Sequence, residues 1–126
     1  MQDAPPEFFA ALMSRAGGEV AFFDRDGRYI FVSPALASVN GLSADEHLGR
    51  TLREVLPTLA EQLEPPLTAA LTGEAMSYEI RGRTENLQQG ERIWREHWFP
   101  VHDGSGAEVI GAGVSIVDIT SLRRAE

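Results

Sequence analysis

The chain has 126 residues, 43% of them apolar and 24% charged, with eleven cations against nineteen carboxylates for a net charge of −8, and no cysteine. That length suits one domain with a core of its own, and the missing cysteines exclude thiolate zinc sites, iron–sulfur clusters, disulfides and covalent cysteine adducts. An acidic balance without a basic stripe argues against binding a phosphate backbone; all eleven cations are arginine, which excludes Schiff-base and P-loop lysine chemistry.

Pro5 to Ala16 reads as a short amphipathic helix: prolines suit its first turn, Phe8, Phe9, Leu12 and Met13 recur at helical spacing, and Gly17-Gly18 ends it. Its apolar stripe either packs on the domain or meets a partner. The start lacks the basic and apolar regions of a signal peptide. Glu19 to Asp24 and Arg28 to Val32 are apolar runs around Asp26-Gly27, a hairpin signal. In the second run Tyr29 and Phe31 share one face, and Ile30 and Val32 the other, which predicts a strand covered on both sides.

Helix punctuation then repeats. Ser33-Pro34 caps Ala35 to Val39, closed by Asn40-Gly41. Ser43 to Glu46 is a capping box opening a short helix that Gly49 stops, and Thr51 to Glu54 is a second box leading to Pro57. A further helix begins at Thr58 or at Pro65 and runs to Thr72, with Leu59, Leu63, Leu67 and Leu71 every fourth residue; Pro65-Pro66 is expected to split it in two.

After Gly73 the period becomes two. Met76, Tyr78 and Ile80 alternate with polar residues in a half-exposed strand, and Glu85 to Gly90 is a polar loop. Arg92 to Val101 is a long strand with Ile93, Arg95, His97, Phe99 and Val101 on one side and Trp94, Glu96 and Trp98 on the other. A turn, His102 to Gly106, leads to a last strand, Val109 to Asp118. The run from Val109 to Val117, with its small residues, is too short to span a bilayer. Asp118-Ile119-Thr120-Ser121 offers caps to an arginine-rich helix. Strands at both ends of a helical middle, joined by hairpins, mean an antiparallel α+β domain.

This layout resembles the PAS sensor-domain family. The resemblance rests on Asp24, Asp26-Gly27, Tyr29 to Ala35, Gly41-Leu42-Ser43, Glu46, Leu48-Gly49-Arg50, Pro100 to Asp103, Gly106, Gly111 and Asp118-Ile119-Thr120, and it covers Val20 to Glu126. Where the family often has asparagine, Ser33 stands and can still cap the following helix. The resemblance implies a five-stranded antiparallel sheet in the order 2-1-5-4-3 with short helices over one face, ligands lying between the two, and an N-terminal amphipathic helix that covers the other face or pairs protomers. The expected division is a cap helix over 1–18, a PAS domain over 19–120, and the start of a linker helix over 121–126.

The function so implied is a non-enzymatic sensory module of a bacterial-type signalling protein. It binds a small ligand or mediates homodimerisation and passes a conformational signal to a C-terminal effector, often a histidine kinase of a two-component system. Candidate pocket residues are Phe23, Tyr29, Phe31, Val55, Leu67, Leu71, Trp98 and Val114; Asp118, Ile119 and Thr120 form the signal junction; Phe8, Phe9, Leu12 and Met13 are the dimer contacts. The expected setting is cytoplasmic, within a longer chain, with neither nucleic acid nor direct membrane insertion.

No cofactor is identified. Photochemistry through a cysteine adduct is excluded, because Arg50 to Glu54 holds no cysteine, while non-covalent flavin remains open. Haem is disfavoured, since the helix over Pro65 to Thr72, where haem-binding relatives place a histidine, has none. His47, His97 and His102 have no ligand spacing, so no metal site is expected. Trp94 and Trp98 read as cross-strand packing or as a pocket wall, and Arg95 and His97 as sheet-surface residues unless turned inward. The carboxylates read as caps, turns and solvated faces, and no catalytic constellation emerges. Alternatives are a ligand-free assembling PAS domain, a haem sensor, or a small enzyme built on a cone-shaped sheet.

Overall fold

The computed structural model describes residues 18–84 and 90–126; the expected N-terminal helix with Phe8, Phe9, Leu12 and Met13, and residues 85–89 of the polar loop, lie outside them. The strands are β1 (Glu19–Asp24), β2 (Tyr29–Val32), β3 (Met76–Gly82), β4 (Arg92–His102) and β5 (Val109–Asp118). The helices are α1 (Pro34–Asn40), α2 (Leu52–Val55), α3 (Ala60–Leu71) and α4 (Thr120–Ala125). All neighbouring strands pair antiparallel, in the order β2-β1-β5-β4-β3. The core lies between one face of this sheet and α1, α2 and α3, where Ala21, Phe23, Trp98 and Val114 meet leucines of the helices.

The β1–β2 turn forms because the Asp24 carboxylate accepts from the amides of Asp26 and Arg28 at 2.9 and 3.0 Å. Gly27 takes φ +75°, a conformation that costs glycine least. The pairing then slips: Phe22 faces Phe31 and Phe23 faces Tyr29, so Ile30 is an extra residue. This bulge corrects the expected face-sharing of Tyr29 and Phe31. Tyr29 and Val32 are buried at 2% and 3% exposure, while Phe31 joins Phe22 at 6.0 Å between ring centres on the far face.

Ser33 caps α1 by accepting the Leu36 amide at 3.3 Å, and its hydroxyl also accepts from Val20 N and donates to Gly18 O. The Ser43 box closes in both directions, at 3.0 and 3.1 Å. Beyond the box the chain makes a run of i→i+3 turns, not the expected helix. The reason is competition: Gly49 N donates to Tyr29 O and Tyr29 N donates to Arg50 O, both at 2.9 Å, drawing the backbone towards β2. The Thr51 box forms as expected and opens α2.

α3 is continuous through Pro65 and Pro66, contrary to the expected split. These prolines remove the donors to the carbonyls of Glu61 and Gln62. The Tyr78 hydroxyl of β3 donates to the Gln62 carbonyl at 2.9 Å, and the Gln62 side-chain amide donates to Arg81 O at 3.1 Å. Leu63, Pro66, Leu67 and Ala70 hold the other side in the core. Tyr78→Phe is expected to cost about 1 kcal/mol, the net worth of one such bond; a urea midpoint equal to that of the parent protein would show that the bond contributes nothing.

Candidate functional site

Strand register places the inward-facing side chains in rows. Glu19, Ile116, Glu96 and Tyr78 lie across one row, and Ala21, Val114, Trp98 and Met76 across the next. The two glutamates thus flank Ile116, with Cα atoms about 10 Å apart, two strand spacings. Over these rows sits a cavity closed by α1, α2 and α3 and walled mainly by aromatic and leucine side chains, with Glu19, Asn40, Thr84 and Glu96 as its polar groups. Its free volume is about 30 Å³, room for about two waters.

The aromatic wall is continuous. Trp98 stacks on Phe23 at 5.6 Å, Phe23 meets Tyr29 at 4.4 Å, and Tyr29 meets the edge of His47 at 5.1 Å. Behind it, His47 is fully buried rather than part of a polar helix. Its Nδ1 lies 2.8 Å from the Ser43 carbonyl and its Nε2 lies 3.0 Å from Asn40 Nδ2. A carbonyl only accepts, so Nδ1 carries the hydrogen and Nε2 accepts from Asn40. Burial pushes the imidazole pKa down, which keeps this neutral form.

Glu96 is 3% exposed, and its Oε1 accepts from Trp98 Nε1 at 2.9 Å. That is the one side-chain hydrogen bond recorded for Glu96 among the described residues. Desolvation raises its pKa to about 7 against the pull of the Trp98 bond, with a further push from Glu19. Glu19 is raised as well, first by burial and then by Asp118, and its Oε1 is buried without a hydrogen-bond partner. These two acids correct the expectation that all carboxylates are caps, turns and solvated faces. The alternation put Glu96 on the same face as Trp94 and Trp98, and the structure turns that face towards the cavity.

Of the expected pocket residues, Phe23, Tyr29, Trp98 and Val114 line the cavity. Val55 is buried in the core beside it without lining it. Phe31 is on the opposite face, moved there by the bulge. Leu67 and Leu71 instead line a separate depression between α3 and the Asp26-Gly27 turn, because their turn of the helix lies beyond the cavity. Both tryptophans line the wall. Arg95 and His97 point away from it, Arg95 towards Glu79 and His97 onto Phe99 at 5.6 Å.

At the exit of the sheet, Asp118 Oδ1 accepts the Thr120 amide at 2.9 Å while Oδ2 takes Arg92 Nε at 3.0 Å. Partial burial opposes ionisation of Asp118, but the bonds from Thr120 and Arg92 hold its pKa below the usual carboxylate value. Thr120 is 1% exposed, and its hydroxyl accepts from Ile93 N at 2.8 Å; Ile119 N donates to Ile93 O at 2.9 Å. Thr120 therefore clasps the start of β4 rather than capping α4, whose cap position is Ile119. Among the described residues, no three His, Asp or Glu side chains gather to hold a metal ion, and no helix is long and apolar enough to cross a membrane.

The family model described as the PAS fold matches residues 17–124. No curated protein matches the sequence. Among solved structures, the Vibrio cholerae VqmA dimer superposes with TM-score 0.76 at 17% identity, over 94% of this chain and 53% of that one. The chain thus spans about half the VqmA length. The PAS domain of Bordetella pertussis BvgS gives TM-score 0.72 at 24% identity, covering 94% of this chain and 91% of that one. A PAS domain from Colwellia psychrerythraea gives 0.71 at 18%, covering 91% and 97%. With its sheet in this order and the family model spanning all but its ends, this chain belongs to the PAS family.

Proposed function

We propose that this PAS domain, over residues 19–120, is a sensory module without catalysis of its own. A small molecule enters the cavity, β4 shifts, and the shift leaves through Asp118, Ile119 and Thr120 into α4 and a C-terminal effector. The observation that carries this reading is the clasp of Thr120 and Ile119 on Ile93. Ile93 lies three residues from Glu96 on the same strand, about 10 Å along it. Displacing the cavity wall therefore displaces the anchor of the exit helix. The size of the response is bounded by the ligand's difference in affinity between the two arrangements.

The effector proposed is a histidine kinase of a cytoplasmic bacterial signalling protein, on the family resemblance. A second copy of the chain is the proposed partner, through Phe8, Phe9, Leu12 and Met13. VqmA, which shares the fold over about half its length, is described as a dimer and as bound to DPO, in keeping with a ligand-responsive assembly. The small free volume favours a second reading, a ligand-free PAS domain that only assembles.

One experiment separates the two. In native mass spectrometry, the sensor reading expects a co-purified small molecule that leaves on denaturation. Its removal is expected to change hydrogen exchange in Thr120–Ala125. A mass equal to the polypeptide alone, with exchange of α4 indifferent to extraction, favours the assembling domain instead.

A further inference from the structure

We propose that the cavity selects a small molecule with a cationic, N–H-donating head, held by Glu96 and Glu19, on an aromatic body that packs against Phe23 and Trp98. This rests on the reading of the cavity as a ligand site and names the class of ligand.

The charged groups lining the cavity are both carboxyls. Glu96 is nearly fully buried, yet Trp98 fills only one of its acceptor positions, and Glu19 Oε1 is buried with none filled. An unfilled buried acceptor such as Glu19 Oε1 is costly, and a donor that reaches it recovers that cost. Among the described residues, Arg92 is held by Asp118, Arg95 lies outside beside Glu79, and Arg81 of β3 is exposed, so none of the sheet arginines lines the cavity. The Thr84 hydroxyl donates to Val39 O, and one of the two hydrogens of the Asn40 amide goes to His47. An anion meets two carboxyls and no compensating charge.

The aromatic rings favour the same head twice over, because their faces attract cations. The free volume accommodates a head group as it stands, and a ring requires the covering helices to yield. That requirement couples occupancy to movement.

The test uses three molecules of one shape: benzylammonium, benzyl alcohol and benzoate. Both tryptophans of the chain line the cavity, so intrinsic fluorescence reads occupancy directly. At pH 8 benzylammonium is expected to bind saturably, at least about tenfold tighter than benzyl alcohol, with benzoate weaker still. Glu96→Gln is expected to weaken benzylammonium by about tenfold or more and to leave benzyl alcohol unchanged. Glu19→Gln is expected to give a smaller loss and serves should the first variant fold poorly. Alcohol or benzoate binding as tightly as the amine, or an amine affinity indifferent to both substitutions, overturns the ligand class and leaves the cavity as a ligand site. If none of the three binds although native mass spectrometry finds a co-purified molecule, the class alone falls. If none binds and nothing co-purifies, both readings fall.

Discussion

Glu96→Gln is expected to stabilise the protein at pH 8 by about 3 kcal/mol and to change little at pH 4. The carboxyl is held up to about 7 in the fold, against an ordinary value of 4.5. Between those values the folded state keeps a proton that the unfolded chain releases, so stability is fully present below 4.5 and is lost as pH rises through 7. Glutamine has no proton to lose, and its oxygen can still accept the Trp98 N–H. The groups facing Glu96 act in the same direction: Glu19 on β1 is itself raised, and Tyr29, buried opposite, is raised by its surroundings and by Glu96. Urea unfolding of both proteins at pH 4, 6 and 8 measures the difference. A stabilisation that does not grow with pH would remove Glu96 as the titrating group.

Gly111→Ala is expected to cost about 3 kcal/mol, at the upper end of overpacking effects. Gly111 lies in the sheet between Asp24 of β1 and Val101 of β4. A Cβ there would run into the carbonyl oxygen of Phe23 at well under contact distance, with Asp24 Cα close behind. The obstacle is backbone, fixed by hydrogen bonds on both sides, and it cannot rotate away as a side chain would. Gly104→Ala in the β4–β5 turn is the control, since a Cβ there meets nothing within 4 Å, and its cost is expected within about 0.5 kcal/mol. Equal thermal shifts for the two variants would contradict this account.

The fold was legible where local rules act alone. Alternation in β3 and β4 grouped Tyr78 with Ile80, and Trp94 with Glu96 and Trp98, on the faces that the structure turns inward, and Ser33, Thr51 and Asp24 bond as their positions suggest. The sheet order came from the family resemblance, because no periodicity encodes which strands are neighbours. The failures have one cause: each was decided by a partner distant in sequence. The bulge at Ile30 depends on how β2 registers against β1; the Ser43 box lost its helix to Tyr29; and α3 survived two prolines because Tyr78 supplies a donor. The site was half legible for the same reason. Phe23, Tyr29, Trp98 and Val114 could be named from hydrophobicity, but Glu19 and Glu96 become a pair only when β5 runs between β1 and β4.

The prolines of α3 have a kinetic consequence. A twelve-residue helix is marginal in isolation even with every donor present, and this one lacks two in its middle. The donor that replaces one of them belongs to the edge strand sixteen residues further on. α3 therefore cannot act as a local seed for folding. It becomes stable as β3 docks, when the intervening loop closes, so helix and edge strand form one cooperative unit late in assembly.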